Sequence, residues 1–299
     1  MSQPPDLSAA GGAQPPALFD RALWLARRAR RALPRPEARF LHEAAIEGVL
    51  DRLSMVADRT FPKAALVWPG APEWAPALAA HPRVGALETA PLTAEEVLPL
   101  APGGFDLAVL GFTLHWANDP VGVLIQMRRA LKPDGLLIAC GLGGATLAEL
   151  REALAEAEAA TTGGLSPRIS PMGEIRAMGA LLQRAGLAMP VADVDRIETS
   201  YADSLALMRE LRAMGEANAL HARNRAPLRR ELLARACAIH AERRPAEGGR
   251  VAAAFEIVTL TGWAPGPDQP QARRPGSAVA RLADALGTTE RPTGDKPPR

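Results

Sequence analysis

The chain has 299 residues, 47% hydrophobic and 23% charged, enough to bury the core of one large domain or of a domain with a helical subdomain. A formal net charge of +2 gives no electrostatic reason to expect nucleic acid as a partner, and no stretch approaches the roughly 20 apolar residues of a membrane span. Two cysteines, Cys140 and Cys237, cannot build a disulfide framework and read as inert thiols of a reducing cytosol.

The segment through Pro16 is small, polar and rich in Pro and Gly, and is expected to be a disordered tail without a secretory signal. Residues 17–60 predict two helices, Phe19 to Leu33 and Glu37 to Ala57, separated by Pro34 and Pro36. The first carries Arg21, Arg27, Arg28, Arg30 and Arg31. This run reads as the solvated face of a lid helix, or as a docking surface for an acidic partner or the inner face of a membrane. Short apolar runs around Leu66 and over Val84 to Leu87 predict buried strands.

Residues Phe105 to Gly144 form one unit. The apolar run Leu107 to Leu114 is too short for a helix and is followed by Asn118-Asp119-Pro120, so it predicts a buried parallel strand feeding a helix. The helix starts near Pro120, places Val121, Val123, Leu124, Met127 and Leu131 mainly on one face, and is expected to stop at Pro133 and Gly135. A second strand follows from Leu136 to Cys140. A crossover of this length is a right-handed βαβ unit, which makes the fold a doubly wound, mostly parallel α/β sheet with its ligand cleft beyond the strand C-termini.

After this unit, Thr146 and Glu149 predict a capping box opening a helix through Ala160. Helical insertions at about 163–184 and 204–240 are expected to build the substrate face. Within the first, Leu165-Ser166-Pro167-Arg168-Ile169-Ser170-Pro171 is a stiff polar loop in which Arg168 could hold a carboxylate. In the second, Leu207, Met208, Leu211 and Met214 keep helical spacing and read as core contacts. Tyr201 closes an expected strand, and Phe255 to Thr261 predicts a late one. Residues 266–299 are expected to be mostly disordered, with a short helix around Ala278 to Leu286. The five histidines show no metal-ligand spacing, no Gly-x-Ser-x-Gly elbow is present, and Gly141 to Gly144 lacks the Lys-Ser/Thr of a phosphate loop.

The sequence FDLAVLGFTLHWANDP followed by LKPDGLLIA resembles the second half of a class I S-adenosylmethionine-dependent methyltransferase domain. GGATLAELREAL, GGLSPRISP, LLQRAGL, LMRELRAMGEANAL and FEIVTLTGWAP are similar, in order and spacing, to the methyltransferase-like assembly factors of respiratory complex I and their bacterial relatives. The likeness covers roughly Leu18 to Pro265, and residues 61–265 would be the methyltransferase-like domain. It implies S-adenosylmethionine as cofactor, a protein partner such as a subunit of the respiratory NADH dehydrogenase, and hydroxylation of an arginine as a related activity.

The resemblance implies cofactor contacts at Gly70, Glu88, Leu114 and His115, with Glu88 taking ribose hydroxyls at the end of the second strand. His115, Trp116, Arg168 and Tyr201 are the catalytic candidates. Where the family keeps an acidic-x-Gly-x-Gly-x-Gly run, this chain reads AALVWPGAPEWAPAL. Only Gly70 survives, Pro69 and Pro72 remove amide donors, and Trp68 and Trp74 add bulk. Between Glu88 and Phe105 the segment TAPLTAEEVLPLAPGG is too short for the usual helix, strand and helix, so a strand is expected to be missing or vestigial. Three readings follow: a methyltransferase acting on a protein side chain or small acceptor, an assembly factor with hydroxylase-like chemistry, and a noncatalytic docking relative.

Overall fold

The structure, a computed structural model, describes residues 17–30, 36–56, 59–267, 269 and 282–289. The tail expected through Pro16 and most of the one expected after Pro265 lie outside these residues. Two helices lead into the sheet, α1 (Arg21–Arg30) and α2 (Phe40–Met55). The second buries Leu41, Ala45, Val49 and Leu53, a four-residue repeat along one face. The first buries Trp24 together with Arg21 and Arg28, at i, i+3 and i+7. This corrects the expectation of one exposed basic face. Arg21 is ion-paired with Glu96 at 3.1 Å and donates to the carbonyls of Trp116 and Thr93, while Arg27 donates to the Asn218 carbonyl.

The sheet follows as β1 (Phe61–Val67), α3 (Ala71–Ala80), β2 (Val84–Ala90), β3 (Phe105–Gly111), α4 (Pro120–Ala130) and β4 (Leu131–Leu142). Then come α5 (Ala148–Thr162), α6 (Ile175–Arg184), β5 (Ala188–Tyr201), α7 (Ser204–Met214), α8 (Arg230–Arg243), β6 (Pro245–Ala246) and β7 (Arg250–Trp263). The strand order is β2-β1-β3-β4-β7-β5, with β6 paired to β7. Strands β1 to β4 pair in parallel, and β7 runs antiparallel to both its neighbours.

Alternation along each strand separates two cores. Ala64 and Leu66 of β1, with Leu107, Val109, Leu136 and Ile138, face a layer formed by α2, α5, α7 and α8. Ala65 and Val67, with Ala108, Leu110, Leu137 and Ala139, face α4 and α6. Cys140 lies in the sheet interior, where burial pushes its thiol up to about 12. No helix or strand forms between Ala90 and Phe105, so β2 is an edge strand and the strand that the resemblance would place there is missing among the described residues. In its place Glu96, in a left-handed conformation (φ 61°), accepts from the backbone N–H groups of Asn118 and Asp119 at 2.7 and 2.9 Å. That bond pair pins the start of α4 to the segment that replaced the missing elements.

Three local expectations need correction. The Lys132-Pro133-Asp134-Gly135 stretch belongs to β4, which begins at Leu131 opposite Phe105 and slips register before Leu107. Thr146 does not cap α5: Leu147 is the N-cap, and the Thr146 hydroxyl donates to Gly143 O and accepts from Glu256 N–H, stitching the loop to β7. Within the 163–184 insertion, α6 contributes Met178 and Leu182 to the α4 side of the core, so only the preceding loop reaches the other layer. A second compact unit begins at Gly266. Of the helix expected there, Leu282–Leu286 is helical (α9), and residues 278–281 lie outside the described residues.

Candidate functional site

The strand order reverses between the parallel neighbours β1 and β3, with β2 outside one and β4 outside the other. In a doubly wound sheet the ligand crevice lies beyond the C-termini at that switch point. Here it is filled by indoles. Trp68 follows the last residue of β1 directly, is 2% exposed, and sits 4.4 Å centroid to centroid from Trp74 of α3. A Cβ on Gly70 would meet the Trp68 six-membered ring at 2.5 Å, and one on Gly111, at the end of β3, would meet Trp74 at 2.7 Å and Trp68 Cγ at 3.0 Å. The Trp68 indole therefore spans the distance between the loop after β1 and the end of β3. His42 and Phe112 close on it edge-on and tilted, at 5.0 and 6.4 Å. The Arg28 guanidinium lies 5.1 Å from the Trp68 ring centroid, a cation–π contact.

Beside this aromatic group is a buried polar centre. α7 ends in Gly215 at φ 87°, a left-handed C-cap that turns the chain so that the next side chain, Glu216, points inward. Its carboxylate receives Trp116 Nε1–H at 2.7 Å, contacts His115 Nε2 at 3.1 Å and pairs with Arg28 at 3.2 Å. The Leu142 N–H donates to His115 Nδ1 at 3.3 Å, which assigns the ring proton to Nε2, facing Glu216. Burial acts to raise the Glu216 carboxyl, but His115, Arg28 and His42 outweigh it and hold it at about 2, so the group is ionised. Trp116 is clamped from behind by Trp24, stacked at 5.8 Å, and by Phe19 edge-on at 5.3 Å.

Glu216 and Trp116 floor a cavity of about 240 Å³ between α5, α7 and the loop carrying Arg168. Its walls are Leu150, Leu154, Met172, Met208 and Leu211, and its rim holds Arg212 and Asn218. One acid gathers the loop's side-chain donors: buried Glu158 of α5 accepts from Arg168 Nε and Nη2 at 3.0 and 2.5 Å, and from the Ser166 hydroxyl and N–H at 2.6 and 3.1 Å, while Asn218 and Arg151 donate to the Pro167 and Ser170 carbonyls. Burial raises the Glu158 carboxyl and these bonds more than reverse that, so it stays ionised. An apolar chamber of this size with a few convergent polar groups accommodates one side chain or small molecule.

The structure brings His115, Trp116 and Arg168 around this chamber, His115 by way of Glu216. Leu114 is buried on the α4 side, and Gly70 is the N-cap of α3 against Trp68. Tyr201, at the end of β5, packs into the core under α7 and does not line the cavity. Glu88 stands two residues before the end of β2, half exposed and 3.4 Å from Lys63. Exposed ion pairs contribute about 0–1 kcal/mol, so Glu88→Ala is expected to leave the urea midpoint nearly unchanged. A loss comparable to a core truncation would contradict that placement. Glu216 and Glu158 were not singled out from sequence, although Glu216 lies in the family-like run MGEANAL. Among the described residues no group of three or more His, Cys, Asp or Glu side chains could hold a metal, and no helix is long and apolar enough to cross a membrane.

Residues 68–139 match the family model described as Methyltransferase domain. With the sheet order above, this match supports a class I methyltransferase fold for the chain. It is 40% identical to the arginine-hydroxylase NDUFAF5 of Danio rerio over 64% of this chain and 59% of that protein, and 38% identical to the Homo sapiens protein over 64% and 56%. A malonyl-[acyl-carrier protein] O-methyltransferase of Laribacter hongkongensis is 38% identical over 57% of this chain and 54% of its own. Among solved structures, an S-adenosylmethionine-dependent methyltransferase of Thermotoga maritima aligns with a TM-score of 0.42 at 14% identity, covering 81% of this chain and 99% of that one. The chain thus spans less than two thirds of the length of the curated relatives it matches.

S-adenosylmethionine is the cofactor that the methyltransferase domain implies. The residues at this chain's switch point do not fit it. The volume at the ends of β1 and β3 is occupied by Trp68, Trp74 and Phe112, all at or below 2% exposure. Pro69 and Pro72 offer no N–H to a carboxylate or ribose, and the Glu88 carboxylate lies with Lys63.

Proposed function

We propose that this chain is a methyltransferase-fold assembly factor for a respiratory NADH dehydrogenase, and that it receives a side chain of a client subunit in the chamber between α5, α7 and the 165–172 loop. The observation that carries this reading is the chamber itself. Apolar walls over an ionised, fully bonded Glu216 suit the stem of a long side chain, and Asn218 and Arg212 at the rim suit the backbone carbonyls of the segment that bears it. The relatives at 38–40% identity, named as arginine hydroxylases, support a protein side chain as the acceptor. Modification of that side chain is the enzymatic form of the reading. It acts in the cytoplasmic compartment, next to the inner membrane where the client complex assembles.

Met208→Trp and Leu211→Trp test the proposal by filling the chamber from α7. In cells whose own copy is deleted, either variant is expected to lose most assembled NADH dehydrogenase on native gels while keeping a wild-type far-ultraviolet circular dichroism spectrum. A variant that is folded, demonstrably filled and fully competent in assembly would sink the reading.

A further inference from the structure

We infer that Trp68 has taken over the structural place of the cofactor, so that this chain holds its Glu216 centre in working geometry without S-adenosylmethionine. The inference adds to the proposed assembly role a statement about what the fold no longer needs. Three observations carry it. The Trp68 indole fills the crevice from Gly70 to Gly111 with no room for a Cβ at either end. Its ring packs beneath Arg28, and the same guanidinium donates to Glu216 at 3.2 Å and to the Met214 carbonyl at 3.2 Å. Glu216 in turn meets His115 and Trp116 at the floor of the chamber. A continuous chain of contacts thus runs from the filled crevice to the chamber: indole, guanidinium, carboxylate, imidazole and second indole. In a cofactor-dependent relative such a crevice must open for a ligand. Here a covalently attached ring occupies it permanently, and Trp74, Phe112 and His42 seal its flanks.

The opening that remains beside Gly70 is bordered by Pro69, Pro72, Arg28, Arg39, His42 and Glu73. On the loop after β1 that borders it, Pro69 and Pro72 lack the N–H groups that a carboxypropyl group and ribose would use. Trp68 is accordingly a positioning residue, acting on the chamber through Arg28.

Thermal unfolding of the full chain with S-adenosylhomocysteine tests the first half. A ligand bound at about 10 µM would raise the melting temperature by roughly 5–10 °C when present at about 1 mM. The expected shift is none, and calorimetric titration is expected to be silent. A shift of that size, or saturable heat, overturns the inference. The second half is read on Trp68→Phe and Trp68→Leu, which keep the crevice apolar. Phe retains an aromatic face for Arg28 and is expected to support NADH dehydrogenase assembly, whereas Leu is expected to lower it. Leu matching Phe in assembly, with both folded, overturns the positioning role. Failure here would leave the chamber-filling test of the assembly reading standing, because that test reads a different wall.

Discussion

Glu216→Ala is expected to cost roughly 3–5 kcal/mol, the range for removing one partner of a buried ion pair, and to lower the melting temperature by on the order of 10 °C. The reason is what it leaves behind. Arg28, 8% exposed in the core behind α7, would lose its counter-charge, and the Trp116 and His115 N–H groups would point at a void. Glu216→Gln keeps the shape but replaces one acceptor oxygen by an NH2 group facing converging donors, so it is expected to fall between Ala and wild type. The pH dependence has a definite sign. Because the folded carboxyl sits at about 2 and the ordinary value is 4.5, its contribution is fully present above about pH 4.5 and is lost as pH falls toward 2. Urea titrations over this window should show a steeper acid loss in wild type than in Glu216→Gln. Parallel curves for the two proteins would refute the assignment.

Glu158→Ala is expected to release the 165–172 loop while leaving the sheet intact. Four donors from Ser166 and Arg168 converge on this one carboxylate, and charge-assisted bonds of this kind are each worth about 1.5–3 kcal/mol. Trypsin cleavage after Arg168 should accelerate on the order of 10- to 100-fold, because proteolysis follows the population of the opened loop. Arg168→Lys removes the two-point fork but keeps the charge, so Glu158 should retain only part of its hold; with this cleavage site still present, an intermediate rate is expected. Equal protection in all three proteins would mean that the loop is held by packing of Ile169 and Met172 against the core around Leu154 instead.

The βαβ unit was legible in the sequence because its signals are local. A short apolar run, Asn118-Asp119-Pro120 and a basic last turn each act within a few residues, and the structure returns β3, α4 and β4 there. The loss of a strand after β2 was legible from length once the family resemblance was in hand, since the fourteen residues between Ala90 and Phe105 cannot hold the helix, strand and second helix that the resemblance implies. The site was less so. Glu216 meets His115 from 101 residues away, and no periodicity announces such a pairing. Arg21 and Arg28 looked like solvent charges because arginine is usually exposed, yet their spacing with Trp24 already placed them on a single face. Glu158 carries no signal of its own in the sequence, and the stiff loop eight to ten residues later folds back onto it. For Glu216, Arg21 and Arg28 the hidden fact is a buried charge whose partner is distant in sequence.

The position of β7 bears on how the protein is made. This last strand lies between β4 and β5, pairing with both along most of its length. During synthesis β4 and β5 leave the ribosome well before Arg250 does, each with a row of unmet backbone donors and acceptors facing the gap that β7 will fill. Unpaired edges of that kind recruit other chains. A product truncated ahead of Arg250 would therefore carry two such edges at the centre of its sheet, and it should accumulate in inclusion bodies rather than as a smaller folded domain.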